Sequence, residues 1–286
     1  MNTISKTILF IVGSLVFICC IEDENVDLAT DPQAETGHFE ETILHDGIQR
    51  EYLLYIPESY TGNEEVPIVF SLHGATGSKE SQYNLSRFNE IADSANFILV
   101  TPEATVPNLV TFWNNESQPD RADDVGFIDA LIDDIDNRYE INLDRIYAAG
   151  SSNGGYMCLQ LACRLSNRIA AVAAVKGIMN EAQLSDCNPA RPIAIIQMHG
   201  TEDNLVKYSD VESTLQFWKE HNQTTETPVE TDLPDTDPSN GNTVKRYVFV
   251  DGTHGTVVEH LEVIGGEHDW FGEPGTNYDI DASKKA

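Results

Sequence analysis

Gly150-Ser151-Ser152-Asn153-Gly154 holds a serine with a glycine two positions to either side. This is the G-x-S-x-G pattern, in which the serine hydroxyl becomes an exposed nucleophile when a strand turns sharply into a helix. Residues 145–149, Arg-Ile-Tyr-Ala-Ala, read as a buried strand, and residues 155–165 have helix-forming composition with apolar side chains on nearly every face. The glycines lack the Cβ atoms that would block a strained turn and a close strand-to-helix approach. A serine in a Gly-rich turn also serves as a simple cap. The assignment of Ser152 therefore depends on its partners.

A serine hydroxyl is a weak nucleophile. It needs a base to take its proton and a carboxylate to orient that base and stabilise the imidazolium. In this strand-turn-helix context the order along the chain is serine, acid, histidine. His199-Gly-Thr-Glu-Asp203 follows an apolar run ending at Met198, and loops at strand carboxyl ends are where α/β proteins bind ligands. Asp203 is the expected acid, with Glu202 its rival. Of the eight histidines, His38, His45 and His221 fall in peripheral or helical positions, and His254 and His260 lie in or beside a late hairpin. His73 and His199 each precede a glycine just past a buried strand, which suits loop shaping. His268, in Gly265-Gly-Glu-His-Asp-Trp-Phe-Gly272, lies downstream of both other partners and is the expected base.

Acyl transfer also needs donors for a developing oxyanion. The Asn153 amide is one. The loop His73-Gly-Ala-Thr-Gly77 should supply the other, from Ala75 N–H or, alternatively, Thr76, which is also expected to touch substrate. Trp113 and Trp270 are expected to flank the bound group, with core positions the equal alternative. The chemistry calls for no cofactor or metal, and no Cys or His cluster has ligand spacing.

Positioning these groups requires a covered, mainly parallel sheet. Residues 39–56 read as an edge hairpin ending at Pro57. Buried strands are expected over 66–72, 97–100, 145–149, 169–175 and 192–198, and late strands over 245–250 and 256–264. Helices are expected over 79–95, 123–139, 155–165 and 211–221, and residues 222–243 read as a polar insertion without periodicity. Strands that do not alternate imply helices on both faces, hence one α/β domain. The 286 residues, 41% hydrophobic, suffice for a full core. A net charge of −30, from 47 acidic and 17 basic residues, repels nucleic acid and anionic lipid.

Lys6 precedes an apolar run over residues 7–21, shorter than the ~20 residues that span a bilayer. Residues 1–20 therefore read as a secretory signal. The run ends in Cys19-Cys20, followed by Glu22-Asp23-Glu24, and resembles a bacterial lipoprotein signal with Cys20 lipidated and Cys19 the alternative. Residues 21–38 form an expected acidic tether to a catalytic domain over 39–286. The expected location is the outer membrane, through a lipid anchor, or the extracellular space. Export permits disulfides. Cys158 and Cys163 point to different faces of one helix, while Cys187 lies in a loop able to reach the helix end. Pairing of Cys163 with Cys187 is favoured, with three free thiols as the alternative.

Leu72-His-Gly, the Ser152-Asn-Gly-Gly elbow, His199-Gly-Thr-Glu-Asp203 with Val206 and Tyr208, and Gly265-Gly-Glu-His268 together resemble the secreted feruloyl esterase and poly(3-hydroxybutyrate) depolymerase-like α/β-hydrolases. The likeness extends over most of residues 39–283, including Phe112-Trp-Asn114 and Asp123-Asp-Val125. It implies an α/β-hydrolase fold and ester hydrolysis with Ser152, Asp203 and His268 as triad, and supports a Cys163–Cys187 bridge. The implied substrate is a feruloyl or acetyl ester on plant polysaccharide. Polyester cleavage is the alternative, and a catalytically silent surface binding protein is the alternative of another class. Relatives commonly have Trp-Pro-Gly after the histidine, so Phe271 is expected to reshape the pocket rim. They also continue past Asp-Ala-Ser into a final amphipathic helix, which this sequence lacks, so an exposed sheet face is expected.

Overall fold

Continuous apolar runs in the middle of the chain become the centre of one ten-stranded sheet. A computed structural model describes residues 35–105, 110–273 and 279–286, and residues from Ala34 onward form one compact unit. The expected signal, Cys20 and most of the tether lie outside the described residues. The strands are β1 (Gly37–His45), β2 (Ile48–Ile56), β3 (Val66–Leu72), β4 (Ile98–Pro102), β5 (Ile141–Ser151), β6 (Ala171–Val175), β7 (Ala194–Gly200), β8 (Val229–Asp232), β9 (Thr243–Phe249) and β10 (Val258–Ile264). Their order is β1-β2-β4-β3-β5-β6-β7-β10-β9-β8. The central six, β4 to β10 in that order, are parallel, and both margins are antiparallel.

Burial explains why the central strands do not alternate. All five residues of β4 are buried: Ile98 and Val100 enter one core and Leu99 the other. The first core takes its helical side chains from α3 (Asp124–Asp136), α4 (Asn153–Arg164) and α6 (Val211–Asn222), among them Ile128, Met157, Leu161 and Trp218. The second is covered by α2 (Phe88–Ala95) and by Trp270, Phe271 and Ile280. The outer β1 alternates between half-buried and exposed, as an edge strand does. It joins β2 through Asp46 and Gly47, both at positive φ, the two-residue turn that matches strand twist.

Four boundaries differ from the sequence expectation. The folded region starts before residue 39, because Gly37 pairs with Ile56 and His38 stacks on Tyr83 at 4.8 Å. The helix expected over 79–95 is two, α1 (Lys79–Ser86) and α2, separated by Arg87 at φ 48°. The loop carrying Cys187 contains α5 (Glu181–Asp186), started by a reciprocal Asn180–Gln183 cap. The polar insertion contributes β8, whose four residues are all exposed and which pairs with β9.

The chain closes with α7 (Ala282–Lys285) beside an apolar groove of about 220 Å³ on the sheet, lined by Val69, Phe97, Tyr147, Val172 and Ile196. Cys163 is bonded to Cys187, clipping the end of α4 to the end of α5, and Cys158 is a buried free thiol. Among the described residues no helix is long and apolar enough to cross a membrane.

Candidate active site

Ser152 stands between β5 and α4 with φ 52° and ψ −117°, a left-handed conformation that strains a residue with a side chain. The elbow is held from both sides. Ser152 N–H donates to Val175 O at 2.9 Å, and Ser152 O accepts from Tyr156 N–H at 3.0 Å. A Cβ on Gly150 would overlap the Gly154 carbonyl, and one on Gly154 would overlap the Leu72 carbonyl. Only glycine at both positions lets the turn close this tightly.

The expected acid and base arrive from neighbouring strands. β7 and β10 are parallel, with Gly200 opposite Val263, so the loops that follow them emerge together. His268 Nδ1–H donates to Asp203 Oδ2 at 2.6 Å. Asp203 Oδ1 accepts from Leu205 N–H at 2.9 Å and from Val206 N–H at 2.8 Å. His199, fully buried, donates from Nε2 to Val206 O at 2.8 Å and lies 3.3 Å from Asp203 Oδ2. Burial alone would raise the Asp203 pKa. Hydrogen bonds from His199, Val206 N–H, His268 and Leu205 N–H outweigh it and hold the carboxyl well below the usual carboxylate range. Because an ionised carboxylate only accepts, the His268 proton sits on Nδ1 and Nε2 keeps its lone pair. Burial lowers the His268 pKa below its ordinary value, Asp203 opposes that, and the Lys176 ammonium reinforces it.

Ser152 opens onto a cavity of about 460 Å³ with Asn153, Ala75, Phe112 and Tyr156 in its wall. The rest of the lining is polar: Asn114, Asn115, Glu116, Gln118, Arg121 and Asn180. The Gly74 turn packs against the elbow, since a Cβ there would lie 3.4 Å from Ser152 Cβ. Thr76 N–H is committed to Thr111 O at 3.0 Å, whereas Ala75 N–H has no acceptor among the described residues. Ser152 Oγ and His268 Nε2 make no hydrogen bond among the described residues, a separation common before substrate tightens such a site.

Residues 61–248 match the profile of the phospholipase/carboxylesterase family. The chain belongs to that family. It is 26% identical over 223 residues to a bifunctional acetylxylan esterase/xylanase of Neocallimastix patriciarum, covering 78% of this chain and 31% of that protein. It is 30% identical over 165 residues to feruloyl esterase B of Piromyces equi, covering 56% and 30%. The chain thus spans about a third of the length of these two relatives. Among solved structures, the acetyl xylan esterase of Aspergillus awamori superposes with a TM-score of 0.65 at 14% identity, covering 82% of this chain and 94% of that one. That likeness establishes the α/β-hydrolase fold.

Three aromatic expectations need correction. Trp113 is fully buried and donates from Nε1 to His73 O at 2.9 Å. Trp270 is 2% exposed, donates to Ser283 Oγ at 3.0 Å and meets Phe88 edge-on. Neither ring reaches the cavity. Phe271 is fully buried rather than on the rim. Thr76 is exposed and absent from the cavity wall, so it is neither the free donor nor a lining residue. The aromatic walls come instead from Phe112, which the sequence marked only as part of Phe112-Trp-Asn114, and from Tyr156, marked only by its place after the elbow. His73 and His199 shape loops as expected, His73 Nε2 accepting from Ala104 N–H at 3.1 Å. His260 is buried with its pKa lowered to about 4 by desolvation. Folding also groups His45, Asp46 and Asp123 within 4.8 Å, across a separation that hid them in sequence. Both carboxylates are exposed, and Asp123 already caps α3 through Gly126 N–H.

Proposed function

We propose that the chain is a serine esterase that forms an acyl-enzyme, and that its substrates are acetyl or feruloyl esters carried by plant polysaccharide. His268 Nε2 takes the Ser152 proton as Oγ attacks the ester carbonyl, and Asp203 stabilises the imidazolium. The Asn153 and Ala75 amides hold the oxyanion. The imidazolium then protonates the leaving alcohol, and the neutral ring activates water to release the acid and restore Ser152. The 2.6 Å His268–Asp203 contact, at the ends of β7 and β10 in the same sheet as the elbow strand β5, carries this reading.

Two observations favour a carbohydrate-borne ester. The cavity wall is rich in amide and charged groups that suit sugar hydroxyls better than an apolar polyester. The relatives named acetylxylan esterase and feruloyl esterase point the same way. Export through residues 1–20, with lipidation at Cys20 or release outside the cell, would place the enzyme where such polymers occur. Specificity constants for acetylated xylan, methyl ferulate and hydroxybutyrate oligomers test the proposal. One of the first two should give the highest kcat/KM. Preference for hydroxybutyrate oligomers would make the chain a polyester hydrolase, and no turnover of any ester would make it a binding protein.

A further inference from the structure

Lys176 is a buried cation that the acyl-transfer steps do not use. It follows β6, where Val175 lies opposite Ser151, so it occupies the strand end beside Ser152. Its backbone is left-handed, φ 50°, a strained conformation for a lysine that persists only where the surroundings enforce it. The Lys176 N–H donates to Met198 O at 2.8 Å, tying the β6 end to β7. The residue is 9% exposed, and Nζ donates to the main-chain carbonyl of His268 at 3.0 Å. The ammonium thus spans from the nucleophile's neighbouring strand to the loop that carries the base.

We propose that Lys176 is a positioning residue for His268. Its ammonium holds the His268 carbonyl so that the ring stays seated on Asp203, and its positive charge keeps the ring neutral, and so competent as a base, into more acidic solution. The proposal rests on the reading of His268 as the general base. The groups facing His268 are Asp203 and His199 from the β7 side and Lys176 from β6. Asp203 favours the imidazolium, and the other two disfavour it. Lys176 is in turn faced by Asp269, Asp203 and Glu273. Burial lowers the Lys176 pKa, and these carboxylates oppose that only in part.

The test compares Lys176→Met, Lys176→Gln and Lys176→Arg in the otherwise intact chain. For each, kcat/KM on p-nitrophenyl acetate is followed against pH, and the His268 ring is titrated by NMR in the same variant with Ser152→Ala. Removing the charge should move both the acid limb and the ring midpoint upward by about half a pH unit or more. Lys176→Gln, which keeps a donor for the His268 carbonyl, should lose less kcat than Lys176→Met, and Lys176→Arg should keep the acid limb near its original position. An unmoved limb and midpoint in Lys176→Gln or Lys176→Met, whichever folds, overturns the proposal. If the His268 midpoint and the activity limb disagree before Lys176 is changed, the base assignment itself is lost.

Discussion

The hydrogen bond from His268 Nδ1 to Asp203 leaves Nε2 as the nitrogen able to accept a proton. Substitution at any of the three proposed triad positions should therefore act on kcat. Ser152→Ala and His268→Ala should each lower kcat/KM on p-nitrophenyl acetate by three orders of magnitude or more, with little further loss in the double variant. Additive losses would separate the two residues mechanistically. Asp203→Asn, which favours the wrong imidazole tautomer, should lower kcat by about 10⁴ while leaving the melting temperature of a folded protein measurable. Because burial lowers the His268 pKa, the neutral base persists below its ordinary value of 6.5. The acid limb of the activity profile should therefore have its midpoint below pH 6.5, activity falling as the ring protonates. Loss of activity already above pH 7 would contradict the depressed value.

The elbow shows most plainly what the elements contribute. Gly154 lies against the Leu72 and His73 carbonyls, so Gly154→Ala must push β3 away from α4. A cost of about 3 kcal/mol is expected, read as a lower denaturant midpoint, together with lost activity. The sequence made this turn legible because its requirement is local: two glycines, one serine, an apolar strand before and a helix after. The pairing of Asp203 with His268 was legible from chain order and strand ends. Trp113 was not, because only the folded loop shows its indole N–H turned to the His73 carbonyl. The margins were hidden for a different reason. β8 has no buried residue and hence no apolar alternation to read, and the break at Arg87 falls on a non-glycine residue at φ 48°, which helix-forming composition does not mark. Lys176 gave no signal, since its partner is a backbone carbonyl 92 positions away.

For the molecule as a whole, the Cys163–Cys187 bond closes a loop spanning 24 residues between helices packed beside the elbow. Replacing both cysteines by serine should cost about 3.5 kcal/mol in the chain-entropy estimate and lower Tm by roughly 10 °C. An unchanged Tm would show that the clip adds nothing to global stability. The charge of −30 keeps the surface repulsive to anions. Covalent trapping tests the central claim, that Ser152 is an activated nucleophile, most directly. The folded chain is incubated with an alkyl fluorophosphonate, its whole-protein mass is measured, and the modified peptide is sequenced by tandem mass spectrometry. One adduct per chain is predicted, on Ser152 and lost in Ser152→Ala and in His268→Ala. No adduct, or an adduct on Ser151 that survives Ser152→Ala, would contradict it.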